Sequence, residues 1–259
     1  MKAGTYSNGY EYIKIREHKD KQILYIPGLN DEMIRMTDYP VILNYYMRGL
    51  KDYQVTVVSR KRGLEDEVST EDMAKAYKQV LREEGDSHVI GVSMGGMIAQ
   101  HLAEKSPHVQ KMVLGFSGPK LGKGGRKKIE KWINLLEKKE ISRFYREMIK
   151  DTFSGISRPL AQVALPILHP IISRPSTEDL IKCSEACLEH DTSAEISGIS
   201  NDVLLVGSRR DDFFPEEMVR KTAERVGGET KFVEGRHGAF FQKHSQFHQN
   251  AVKFLNRNL

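Results

Sequence analysis

The stretch Val89-Ile90-Gly91-Val92-Ser93-Met94-Gly95-Gly96 decides how this chain is read. A short apolar run leads into G-x-S-x-G, and a helical pattern opens behind it at Met97-Ile98-Ala99-Gln100. A strand that turns sharply into a helix leaves little room at the turn, so small residues flank the one that carries chemistry. Such a turn lifts the Ser93 hydroxyl above the sheet and points the next backbone N–H, that of Met94, into the same space. The same letters would also suit a Gly-rich turn with an ordinary cap serine. The strand before and the helix after favour a nucleophile.

Two segments downstream supply partners for a serine. Asp202-Val203-Leu204-Leu205-Val206-Gly207 reads as a buried strand running into a polar loop with two adjacent carboxylates, Asp211 and Asp212. Thr230-Lys231-Phe232-Val233 reads as a short strand followed by Glu234-Gly235-Arg236-His237-Gly238, a histidine between glycines. Each of these residues follows a strand, on the carboxyl edge where open α/β sheets bind ligands. Serine is a poor nucleophile at neutral pH until a base takes its proton, and an imidazole, titrating near neutrality, can take it and return it. One of the carboxylates could instead only serve the dipole of a helix starting at Pro215.

The runs Ser69–Pro107, Leu204–Pro215 and Gly235–Phe241 together resemble the α/β-hydrolase superfamily, specifically its capped, serine esterase and lipase-like members. The likeness extends from about Gln22 to the C-terminus and is weakest between Leu121 and Ser200. It implies an α/β-hydrolase fold, a mostly parallel central sheet flanked by helices, with a helical cap inserted before the strand that carries the acid. It also implies a catalytic triad in the order serine, acid, histidine: Ser93 as nucleophile, Asp211 as acid and His237 as base. Pro215, four residues after Asp211, favours Asp211 over Asp212 by the family's usual spacing. The oxyanion hole would use the N–H of Met94 and one from the loop Pro27-Gly28-Leu29-Asn30, which follows the strand Gln22–Ile26. Leu29 is the expected donor, and one step of register would move it to Asn30. Many relatives carry His-Gly where this chain has Pro27-Gly28, but a backbone donor survives that change. Relatives that use a carboxylate nucleophile, dehalogenases and epoxide hydrolases, do not fit a serine here.

The expected chemistry is cleavage of a small to medium carboxylic ester, thioester or lactone through an acyl-enzyme. Acyl transfer, carbon–carbon hydrolysis and perhydrolysis on the same residues stay open, as does a small-molecule receptor with little turnover. Neither a cofactor nor a metal is expected. Cys183, Cys187 and His190 fall on one helical face, but three candidate ligands without a fourth read better as buried cysteines of a cap.

Composition places the rest. With 259 residues and 39% hydrophobic content, the chain can bury one full core. Residues 1–120 and 201–259 are expected to form that core, and residues 121–200 the cap. The first ten residues lack the apolar run of a signal peptide, and no stretch reaches the length of a membrane span; Ala164–Ile172 is broken by Pro166, His169 and Pro170. Two cysteines are too few for a disulfide framework, which points to the cytoplasm. A net charge of +5 comes from 40 basic residues interleaved with 35 acidic ones, a solvated surface rather than a nucleic-acid face. The concentrated run Lys120–Lys128 is not a phosphate loop: Gly118 and Gly122 are one residue too close, and Gly124 stands where Ser or Thr should follow Lys123. It reads as a flexible connector into a basic helix start, with an electropositive lip as the lesser alternative. Helices are expected near 31–48, 70–84, 129–137, 141–151, 177–190, 215–226 and 242–256, and further strands at 53–58 and 111–116. Trp132, Phe144, Phe153, Leu165 and Ile167 are candidates to line the cap.

Overall fold

The computed structural model describes residues 1–33, 35–103, 106–155, 159, 161–162 and 176–257. Five strands form the middle of the sheet: β3 (Gln22–Ile26), β4 (Gln54–Ser59), β5 (Ser87–Val92), β6 (Val109–Gly115) and β7 (Asp202–Ser208). Most of their residues are buried, which is what a parallel sheet covered on both faces requires. β8 (Glu229–Val233) closes one edge in parallel, and β1 (Lys2–Thr5) and β2 (Glu11–Ile15) extend the other in antiparallel fashion. The order is β1-β2-β4-β3-β5-β6-β7-β8. The chain moves outward from β3 to β4, then returns past β3 to β5 and continues the other way. The carboxyl edge between β3 and β5 is therefore the topological switch point, where such sheets place ligands.

The antiparallel hairpin goes beyond the sequence reading. Its signal is Asn8-Gly9: Gly9 has φ of +85°, the Tyr6 N–H donates to the Tyr10 carbonyl at 2.8 Å, and an Asn-Gly turn matches strand twist.

Helices cover both faces. α1 (Pro40–Tyr46) and α9 (His244–Leu255) pack against Ile23, Tyr25, Val55 and Val57 on one face. α2 (Thr70–Glu84) and α3 (Met94–Ala103) cover Leu24, Ile26, Val58 and Leu114 on the other, and α7 (Glu216–Val226) continues that layer over β7 and β8. Adjacent strand residues thus face opposite layers. α2 begins where the Ser69 side chain accepts from the Asp72 N–H and Asp72 accepts in return, a capping box worth about 1 kcal/mol. α7 begins one residue later than expected, with Pro215 as its cap. The helix expected near 31–48 resolves into two 3₁₀ turns, α1 and a third 3₁₀ turn. The last expected helix, 242–256, is α9 (His244–Leu255), and one unexpected helical turn, α8 (Ala239–Gln242), precedes it.

Between β6 and β7 run α4 (Lys123–Glu137), α5 (Ile141–Thr152) and α6 (Thr177–Glu189). α4 starts six residues before the expected 129, so Lys123–Lys128 is helix rather than connector. Lys128 pairs with Asp212 and Lys120 with Asp191, which draws the basic run onto neighbouring loops. Leu165 and Ile167 lie outside the described residues.

Candidate active site

Ser93 is held at φ of +54°, a left-handed conformation costly for a residue with a Cβ. The reason is crowding. A Cβ on Gly91 would stand 2.4 Å from the Gly95 carbonyl oxygen, one on Gly95 2.1 Å from that of Ile26, and one on Gly96 2.4 Å from Ser117 Cβ. β5, α3 and the end of β3 touch there, and only hydrogens fit between them. α3 begins at Met94, directly after the turn and three residues earlier than the pattern Met97–Gln100 suggested, because the Gly96 and Met97 N–H groups both donate to the Ser93 carbonyl. Met94, as the first helical residue, has no acceptor for its N–H within the helix.

Ser93 Oγ and His237 Nε2 are 2.8 Å apart, and His237 Nδ1 lies 2.8 Å from Asp211 Oδ2. An ionised Asp211 can only accept, so Nδ1 carries the proton and Nε2 is free to accept from Ser93. The other Asp211 oxygen accepts from the Phe213 and Phe214 N–H groups at 2.8 and 3.2 Å, which restrains rotation of the carboxylate. The loops carrying the two residues are tied together by hydrogen bonds from the Arg209 N–H to the Val233 carbonyl, the Arg210 N–H to the Gly235 carbonyl and the Ser208 hydroxyl to the Arg236 carbonyl. Asp212 points away, exposed, and pairs with Lys128. Phe213, with its ring centroid 4.6 Å from that of His237, and Phe214, at 5.7 Å, flank the imidazole. Neither aromatic role is evident from the sequence alone, although both residues lie within three positions of Asp211.

The loop after β3 closes the other side. A Cβ on Gly28 would meet Ser93 Cβ at 3.1 Å and the Val92 carbonyl oxygen at 3.0 Å, so this backbone lies against the turn. Leu29 opens a 3₁₀ turn spanning Leu29–Glu32. The loop is gripped from beneath by Arg60, fully buried at 0% exposure, which donates to the Pro27 carbonyl at 2.9 Å, the Gly28 carbonyl at 2.7 Å and Glu32 Oε1 at 2.8 Å. Burial works most strongly against the guanidinium charge, but Glu32 together with Cys183, Tyr77 and Asp31 outweighs it, so Arg60 titrates above its usual range. The sequence reading passed over Arg60. The first cation of Arg60-Lys61-Arg62, set directly after the apolar strand β4 on the same sheet edge as the other three residues, is the signal that could have found it.

These groups meet in a cavity of about 490 Å³. Leu29, Met94, Met97 and Phe213 line it near Ser93; Ile129, Trp132, Tyr145, Met148 and Cys187 line it from α4, α5 and α6; Leu43, Tyr46, Phe240 and Phe241 line it from α1 and α8. No Asp, Glu, Lys or Arg is among the described residues that line it. Trp132 and Phe153 of the expected cap residues reach the cavity, whereas Phe144 packs edge-on against Trp132 and Tyr145 instead. Burial pushes the Cys187 thiol up to about 12, which removes it as a competing nucleophile. Cys183 is buried as well, and no cluster of three metal-ligating side chains occurs among the described residues.

Comparison with known proteins follows the same lines. The sequence profile of the family described as serine aminopeptidase, S33, matches residues 61–245. The chain belongs to this family of α/β-hydrolase enzymes. No curated protein matches the sequence. Among solved structures, MGS-M2, an α/β hydrolase from a Medee basin deep-sea metagenome library, is 16% identical with a TM-score of 0.83, covering 100% of this chain and 98% of its own. The enol-lactonase from Burkholderia xenovorans LB400 is 14% identical with a TM-score of 0.80, covering 99% of this chain and 100% of its own. An esterase from Exiguobacterium antarcticum is 17% identical with a TM-score of 0.77, covering 98% and 99%. At these identities the likeness is one of fold, an eight-stranded, mostly parallel sheet flanked by helices in this chain. No helix among the described residues is long and apolar enough to cross a membrane.

Proposed function

We propose that this α/β hydrolase cleaves neutral, largely apolar carboxylic esters, with Ser93 as nucleophile, His237 as base and Asp211 as the acid that orients it. The observation that carries this reading is the pair of 2.8 Å contacts linking the three residues, set at an apolar cavity. Ser93 Oγ attacks the ester carbonyl carbon while its proton passes to His237 Nε2. The carbonyl electron pair moves onto oxygen, where the Leu29 and Met94 N–H groups would receive it. On collapse the alcohol leaves with the proton from His237, and water, deprotonated by the same imidazole, releases the acyl group as acid. Asp211 holds the tautomer and stabilises the imidazolium without taking the proton.

An aminopeptidase activity, which the family's description carries, needs a carboxylate to hold the substrate's ammonium group; the described lining offers none. Enol-lactones, the substrate class named for one neighbour, share the acyl–oxygen electrophile of the proposed substrates. α4, α5 and α6 would serve as the cap that shapes the acyl or alcohol side of the site. A fluorophosphonate probe followed by peptide mapping tests the assignment: labelling at Ser93 with turnover of aryl esters is expected. Absence of both would leave a receptor of the same fold.

A further inference from the structure

We infer that Arg60 is a positioning residue that sets the direction of the Leu29 N–H, and so builds half of the oxyanion hole; the inference rests on the hydrolase reading above. In a planar trans peptide, C=O and the following N–H point in opposite directions. The Gly28 carbonyl is held on one side by Arg60 Nη2 at 2.7 Å and by the Asp31 N–H at 3.1 Å. Its peptide partner, the Leu29 N–H, is thereby turned away from Arg60, toward the side on which Gly28 lies against Ser93. Arg60 Nη1 holds the preceding peptide by the Pro27 carbonyl at 2.9 Å, so one planar guanidinium fixes two successive peptide planes.

The fork itself is fixed. Glu32 takes Nε at 2.8 Å, and Glu32 belongs to the same 3₁₀ turn that Leu29 opens. The Arg60 carbonyl accepts from Arg35 Nη2 at 2.8 Å, and Arg35 pairs with Glu11 at 2.7 Å, which pins the backbone carrying the fork. Burying an ion pair this completely gains little net stability over apolar packing. A geometric role explains its place better: a donor set before reaction spares the transition state any reorganisation. Lysine could keep the charge but not the fork, because its single ammonium cannot satisfy two carbonyls and a carboxylate in fixed planes.

The experiment uses Arg60→Lys and Arg60→Met in the full chain. Circular dichroism checks folding, and the readouts are kcat and KM on an aryl butyrate and the inhibition constant of an alkyl trifluoromethyl ketone, a tetrahedral mimic. A fall in kcat of at least tenfold is expected, with KM within threefold and the ketone weakened in step with kcat, while a ground-state amide inhibitor binds as before. Adding Arg60→Lys to Leu29→Pro, which deletes the N–H, should cost nothing further, because both changes strike one donor. A folded Arg60 variant with wild-type kcat overturns the inference, and so does one that loses KM, ketone and amide affinity alike. If neither Arg60 variant folds, Glu32→Gln takes their place; a three- to tenfold loss of kcat in step with the ketone supports the inference, and parity with wild type overturns it. Wild-type protein that neither turns over esters nor labels at Ser93 brings down the hydrolase reading and the Arg60 role together, whereas an active wild type with indifferent variants removes only Arg60.

Discussion

Around Ser93, adding one methyl group to Gly91, Gly95 or Gly96 would drive a Cβ to within 2.4 Å of a neighbouring atom. Across the cavity, Ile129, Trp132, Tyr145, Met148 and Cys187 present side chains of unrelated shape from three helices, and their requirement is to be apolar and to fill space. The first region is specified atom by atom through the backbone; the second is specified by volume. Backbone geometry is unforgiving of substitution, whereas packed volume tolerates exchange at modest cost. If the division holds, changes beside the turn should strike every substrate equally, and changes in the helices above should sort substrates by size.

The sharpest way to break this contrast is Ser93→Ala. Turnover should fall by roughly a million-fold, as loss of a triad nucleophile typically does, and fluorophosphonate labelling should vanish with far-UV circular dichroism unchanged. Intact-mass labelling at another serine would move the chemistry elsewhere.

The neighbouring carboxylates come next. Asp211→Asn should reduce kcat by about ten-thousand-fold, because the amide can stabilise the wrong imidazole tautomer. Asp212→Asn, which loses only an exposed pair with Lys128, should stay close to wild type, since surface pairs contribute about 0–1 kcal/mol. Steady-state kinetics on one aryl ester distinguishes the two, and the reverse ranking would name Asp212 as the acid.

Ile129→Ala tests the other side of the comparison. The enlarged cavity should shift kcat/KM toward longer acyl chains by roughly tenfold, the worth of one or two methylenes in an apolar pocket. Reactivity toward an acetate ester should change by less than about threefold, since the variant leaves the reacting groups in place. A chain-length profile identical to wild type would show that α4 packs without selecting.

The same division explains what the sequence made legible. Ser93 follows β5 directly, Asp211 and His237 lie in the loops that follow β7 and β8, and all three sit on the carboxyl edge of a parallel sheet, so their positions along the chain foretell their meeting in space. Asp211 could be preferred over its neighbour by the spacing to Pro215, and the structure brings that carboxylate, rather than Asp212, to His237. Arg60 escaped notice because its partners Pro27 and Gly28 act through backbone carbonyls, which no side-chain pattern reveals. Phe144 packs on Trp132 and Tyr145 rather than at the cavity; an apolar residue on a helix shows that it is buried but not against what. The early start of α3 was obscured by Gly95 and Gly96, poor helix formers that this helix accepts in exchange for close approach.

The smallest expected effect reads the two regions through their stability. His190, at the end of α6, has Nδ1 2.8 Å from the Thr70 hydroxyl; burial and His101 lower its pKa to about 3, partly offset by Asp191. His248, on α9 against the opposite face of the sheet, is lowered to about 3 by burial, His244 and Arg16. Both stay neutral when folded but charge near 6.5 when unfolded. Below that pH the unfolded chain binds protons that the folded chain cannot, so stability is full above about 6.5 and declines as pH falls toward 3. Each group should cost about 1 kcal/mol by about pH 5.5. Urea midpoints followed from pH 7.5 to 5.5 should show the decline, flattened in part by His190→Gln and in part by His248→Gln. If the helices above the cavity were loosely held, with His190 reaching water in the native state, His190→Gln would leave the slope unchanged and only the His248 variant would reduce it. Equal flattening by the two variants would instead show that α6 is packed as firmly as the sheet, so that its tolerance of substitution lies in shape and not in mobility.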